Sequence, residues 1–218
     1  MEKDTAKTTE QSAKQPVKRP MERWMEKLMK KHALNPQDIE TLLSVGERRQ
    51  FAAGTTIVRM GEVDEHIYLL TSGVWREYCF RDGEEATIWF SVAGEITFSP
   101  WGYVAGQPSP LFLESITDSE AIAIARSTLN ELFATSLNMA NLGRKIIENF
   151  TILYERWHIQ MWRQNALDHY LRLMEEYPEV VQNIPLKYVA SYLGITVQSL
   201  SRIRASIGSA EETPPFRR

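Results

Sequence analysis

Short β-prone runs punctuated by glycine, confined to residues 48–127, limit what this chain can fold into more than any other feature. The runs are residues 55–59, 66–70, 74–80, 85–90, 95–98, 111–115 and 121–125, and the breaks are Ala53-Gly54, Gly61, Ser72-Gly73, Asp82-Gly83 and Ala93-Gly94. Many short strands at near-regular spacing predict a β-sandwich or barrel of the jelly-roll type. Arg81-Asp82-Gly83-Glu84 reads as a tight hairpin turn joining two of them.

Helical periods flank this block. Trp24, Met25, Leu28 and Met29 share one face of a helix expected over 21–31, and Asn35-Pro36 opens a second. A long helical pattern follows from residue 128 to 164. In it Met139, Gly143, Ile146, Phe150, Leu153, Trp157 and Gln160 recur at alternating steps of four and three, the 3.5-residue spacing of a coiled-coil seam. A dimer helix built on Ile146, Phe150, Leu153 and Trp157 is therefore expected, with packing on the barrel as the alternative. Another helix, over 166–177, ends before Pro178.

Residues 185–204 read as two short amphipathic helices hinged at Gly194. Leu186, Val189, Ala190 and Leu193 form one apolar face, Leu200 and Ile203 the next, and Thr196 caps the second helix. Its outer face carries Gln198, Ser199, Ser201, Arg202 and Arg204, donors suited to phosphates and base edges. Charge supports this placement. Residues 32–155 hold eight Lys/Arg against seventeen Asp/Glu, whereas 182–210 hold Lys187, Arg202, Arg204 and no acid. A polyanion would be repelled by the middle of the chain and tolerated at this end.

The only cysteine, Cys79, excludes an internal disulfide, a four-cysteine zinc site and an ordinary iron–sulfur cluster. Only His66 lies in the β block, so a cupin-type metal enzyme lacks its ligands, and no nucleophile elbow, Walker loop or paired-carboxylate motif is present. The reading is a non-enzyme without cofactor, cytoplasmic, with no bilayer-spanning segment.

The order of these parts resembles the cyclic-AMP receptor protein/FNR family of bacterial transcription regulators. Phe51–Glu62 looks like that family's opening strands, Ile67–Val74 like its next strand and glycine turn, Gly94-Glu95-Ile96 like the start of its phosphate cassette, and 193–203 like its DNA-reading unit. The resemblance implies an α+β fold. It comprises a tail (1–20), a jelly-roll/β-roll sensor domain with N-terminal helices (21–128), a dimerisation helix (129–164), a helix-turn-helix domain (165–207) and a tail (208–218).

The resemblance further implies a homodimer on a near-palindromic operator in double-stranded DNA, a small-molecule effector and a contact to RNA polymerase. DNA would be read by Lys187, Thr196, Val197, Gln198, Ser199, Ser201, Arg202 and Arg204. The effector pocket would draw on Gly94, Glu95, Ile96, Thr97, Trp89 and Trp101. Two departures stand out. No basic residue lies between Arg81 and Arg126, so the Arg that clamps a cyclic phosphate in the family is missing and cyclic AMP is not the expected effector. After Ala205 only Ser206–Arg218 remains, with Gly208 expected to stop the helix and no wing to follow. A partner-binding module whose helix-turn-helix no longer touches DNA is the alternative.

Overall fold

The computed structural model describes residues 20–163 and 165–211, so both expected tails fall mostly outside the described residues. Two four-stranded antiparallel sheets face each other, with helices on both outer faces. Sheet one has the order β1(Glu47–Phe51)-β8(Ser119–Ala125)-β3(His66–Ser72)-β6(Ile96–Thr97). Sheet two has the order β2(Thr56–Val58)-β7(Phe112–Ser115)-β4(Val74–Arg81)-β5(Glu84–Val92). The hairpin between β4 and β5 turns in two residues. Arg81 pairs with Glu84, while Asp82 and Gly83 take φ of 55° and 85°, the left-handed pair of a type I′ turn.

Period-two alternation sorts the strands' side chains between faces. Between the sheets lie Val58, Tyr68, Leu70, Trp75, Leu113, Ala121 and Ala123. Trp75 is fully buried, meets Phe51 and Tyr68 edge-on at ring distances of 5.1 and 5.3 Å, and donates its indole N–H to Ser119 Oγ at 2.7 Å. The interior around Trp75 is thus filled by its own aromatic rings.

Outside sheet one, Ile67, Leu69, Ile96, Ile122 and Ile124 pack under α1(Pro20–His32), α2(Pro36–Val45), α4(Arg126–Thr135) and α5(Leu137–Arg163). Asn35 and Asp38 close a reciprocal capping box on α2, with both bonds at 2.9 Å. Outside sheet two, Val74, Phe90 and Val92 share a core with Tyr170 and Leu173 of α6(Ala166–Glu176) and Val180 of α7(Pro178–Asn183). Val189 and Ala190 of α8(Leu186–Tyr192) and Leu200 of α9(Val197–Glu211) complete it.

The structure differs from expectation at several places. β1 was not expected, because Glu47-Arg-Arg-Gln-Phe51 is mostly polar and lies exposed along the rim of sheet one. The pattern from 128 onward forms two helices that part at Ser136, whose N–H bonds back to Leu132 at 3.0 Å. Pro178 starts α7 as well as ending α6, since proline suits a first helical position. Gly208 does not end α9, which continues to Glu211. A glycine inside a helix costs only about 1 kcal/mol.

The short helix α3(Pro100–Ala105), also unforeseen, is capped by Ser99 Oγ accepting from Gly102 N–H at 3.3 Å. A Cβ on Gly102 would lie 2.2 Å from the Asp64 carbonyl oxygen, so only glycine lets α3 sit this close to the start of β3. Gly102→Ala should lower stability by about 2–3 kcal/mol, read as a fall in the thermal unfolding midpoint.

Candidate DNA interface and effector pocket

The helix-turn-helix forms as a tight unit. α8 ends in the turn at Gly194, which has φ +66°, and Thr196 Oγ1 then accepts from Ser199 N–H at 3.1 Å to cap α9. Leu200 is fully buried and Ile203 partly so, fixing which face of α9 points outward. Gln198 and Arg202, one turn apart, stand exposed together with Ser201 and the 38 % exposed Val197. Ser201 Oγ donates to the Val197 carbonyl at 3.0 Å, and Arg204 is exposed. Lys187 leans its ammonium over the Tyr188 ring at 4.6 Å. Lys187, Thr196, Val197 and Ser199 line one groove, whose opposite wall is the β4–β5 hairpin with Glu84 and Glu85.

The helix-turn-helix is anchored to sheet two through a side-chain contact that periodicity alone does not reveal. β5 is an edge strand, and α8 covers its open side. Ser191 Oγ donates to the Glu85 carbonyl at 2.7 Å and accepts from Thr87 N–H at 3.0 Å, as a neighbouring strand would. Beside it Arg76 is 1 % exposed although it points to the outer face of the sheet. Its guanidinium is held by Glu85 at 2.6 Å and Glu114 at 2.8 Å, between the rings of Tyr78 at 4.0 Å and Tyr188 at 3.9 Å. A buried guanidinium needs such a full set of acceptors and ring faces. Only an Arg opposite a Glu on an adjacent strand hinted at this in the sequence.

The residues expected to form an effector pocket do not meet in one place. Glu95 is 3 % exposed and engaged as a tie: Lys31 of α1 pairs with it, Val92 N–H donates to it at 3.3 Å, and the Tyr177 hydroxyl bonds to it. Burial, and then the Glu95 charge, push the Tyr177 hydroxyl pKa well above its ordinary value. Gly94 lies against Lys27, and Ile96 packs under the helices on the outer face of sheet one. Thr97 is buried. Trp89 lies outside the sandwich, against Trp157 and Tyr177, each at 6.5 Å. Trp101 alone borders a cleft that enters the sandwich, together with Glu77, Phe98, Ser99 and Phe112.

That cleft does not fit a cyclic nucleotide. No cation lines it, and its one charged group is the Glu77 carboxyl, which has no hydrogen-bond or ion-pair partner among the described residues. A phosphate there would meet a carboxyl group and no compensating charge.

α5 turns its expected seam toward its own chain. Met139 is buried, Phe150 meets Phe98 at 5.0 Å and Trp157 meets Trp89, while Ile146 packs into the same core as Met139 and Leu153 is half-buried. The period is that of any helix packed along a surface, so spacing alone did not distinguish a sheet from a partner helix. What α5 leaves exposed is a second stripe at the same spacing, Ile147, Thr151, Tyr154 and His158, with Ile147 and Tyr154 at 42 and 61 % exposure.

Comparison with known proteins agrees with this architecture. Residues 48–136 match the family model of the cyclic nucleotide-binding domain. No curated protein matches the chain. Among solved structures, FixK2 from Bradyrhizobium japonicum is similar at a TM-score of 0.65 and 18 % identity over 80 % of this chain and 90 % of that one. A putative cAMP-binding regulatory protein from Silicibacter pomeroyi reaches 0.63 at 19 %, covering 88 % of both chains. CLP of Xanthomonas campestris, described as a c-di-GMP responsive global regulator, reaches 0.61 at 15 %, covering 84 % of this chain and 96 % of that one. Residues 48–136 thus match the cyclic nucleotide-binding domain model, and the chain has the fold of these solved regulators. Among the described residues no group of His, Cys, Asp and Glu is arranged to hold a metal, and no helix is long and apolar enough to cross a membrane.

Burial raises the Glu77 pKa from its ordinary 4.5 to about 7. The carboxyl is protonated in both folded and unfolded chains below pH 4.5 and ionised in both above about 7. Stability is therefore lost as pH rises through that window, by at most about 3 kcal/mol. Glu77→Gln should abolish that share of the loss and be more stable than the parent at pH 8, as read by urea unfolding at pH 5 and 8.

Proposed function

We propose that the protein is a sequence-specific DNA-binding transcription regulator that acts as a homodimer under the control of a small molecule. One observation carries this reading: Gln198, Ser201 and Arg202 are presented together on the free face of a capped helix behind a glycine turn. That is the side-chain set and the mounting that major-groove reading requires. Arg202 has the fork for a guanine edge and Gln198 the amide for adenine. Val197 offers a methyl surface to thymine, while Lys187 and Arg204 suit phosphates. Contact with RNA polymerase belongs to the same reading.

The exposed stripe on α5 supports pairing of two copies along Ile147, Thr151, Tyr154 and His158, with Arg144 and Glu148 beside it. A two-fold pair would set two reading helices about one DNA turn apart on a near-palindromic site. Anchoring α8 to the β5 edge joins the reading unit to the sandwich, so movement in the sandwich has a direct route to the DNA-facing helix.

Gel shifts against genomic fragments test the reading, and failure to retain any fragment at low salt, with or without cell metabolites, would remove it. Arg202→Ala should weaken binding to the selected site by about 1–3 kcal/mol and relax preference at one base pair. Uniform weakening on all sequences would make Arg202 a phosphate contact instead. Tyr154→Glu should halve the mass seen by light scattering and lower DNA affinity. An unchanged mass would place the pairing surface elsewhere.

A further inference from the structure

A mostly apolar groove lies outside the sandwich. A cavity of about 440 Å³ runs beneath α5, between it, α4 and sheet one. Its walls are carbon, from Ile67, Ile96, Phe98, Leu129, Phe133 and Ile146. The groove opens to solvent on one side, and its carbon walls favour an apolar guest over water. Its volume falls in the range of small-molecule sites. The mouth differs in kind from the walls. Arg126, Asn130 and Arg144 stand there, with Glu65 and Glu148 as the exposed partners of the two arginines.

We propose that this cavity is the effector site and binds an amphiphilic carboxylate, its hydrocarbon part among the carbon walls and its carboxylate on Arg126 and Arg144. The proposal rests on the regulator reading above and names the ligand class that reading leaves open.

Two features select an anion. Both guanidiniums are free to change partners: Arg126 pairs with Glu65 at 3.1 Å and Arg144 with Glu148 at 2.5 Å, across exposed surface where such pairs contribute little. A planar fork matches a carboxylate in two parallel bonds. The cleft inside the sandwich has the opposite character, with Glu77 and no cation.

The position also supplies a lever on the output. Phe133 of α4 lies so close to α5 that a Cβ on Gly143 would stand 2.7 Å from its ring. A guest wedged between α4 and α5 must move one or the other. α5 runs from this cavity toward the core it shares, through Trp157, with Trp89 and the helix-turn-helix side of the sandwich.

Calorimetric titration of the full chain with hexanoate, octanoate and decanoate, and with the matching alcohols, tests the site. Affinity should rise about fourfold per added CH₂ until the cavity is full, from ~0.8 kcal/mol each. Each carboxylate should bind at least tenfold tighter than its alcohol. Arg126→Gln/Arg144→Gln should erase that preference while leaving the alcohols unchanged. Equal binding of acids and alcohols by the parent would overturn the proposal. So would carboxylate binding seen only in the Tyr154→Glu variant, which would make a second copy the occupant. A gel shift with and without octanoate separates the two readings: carboxylate binding with no DNA ever retained sinks the regulator and leaves the ligand site standing.

Discussion

The covering of one sheet edge by one helix organises this molecule. β5 would otherwise offer a row of unpaired backbone groups, and α8 meets them with the Ser191 hydroxyl, which both donates and accepts. Arg76 secures the contact from the side. It is held in place by two carboxylates and two rings, one of those rings, Tyr188, belonging to α8 itself. Removing any one partner would leave a buried charge undersatisfied, which is far costlier than losing an exposed ion pair. The sandwich and the helix-turn-helix therefore share a single hydrophobic core rather than meeting across a wet linker.

On the other side of the sandwich, Glu95 performs a comparable task with less material. A carboxylate at the β-turn ties α1 through Lys31 and the α6–α7 junction through Tyr177. The residue sits where a ligand contact was anticipated and instead holds the chain to itself. Together with the aromatic filling around Trp75 this leaves only a narrow cleft into the sandwich, beside Glu77, while a roomier groove lies under α5.

Much of the fold was legible because it rests on local rules. Glycine breaks and alternation located the strands of the β block, Asn35-Pro36 located α2, and Gly194 with Thr196 located the reading helix. What escaped notice depends on distant partners. β1 carries no apolar alternation because it lies along the sheet rim. α3 exists because Gly102 can approach Asp64. The seam on α5 was visible as a period, yet its partner was not, since a sheet and a second helix ask for the same spacing. Among the candidate site residues, the exposed set on α9 follows from helical phase alone. The pocket set failed to converge because main-chain order says nothing of which way Glu95 or Trp89 turns.

The docked helix has a further meaning for the chain's life in solution. If the reading unit swings away to meet DNA, Glu85 and Thr87 lose Ser191, and β5 becomes a bare template for any passing extended segment. Such an edge invites strand-to-strand association and insoluble aggregates. Glu84 at the start of that strand is then a safeguard, placing a charge on the edge that a second, identical edge would have to meet.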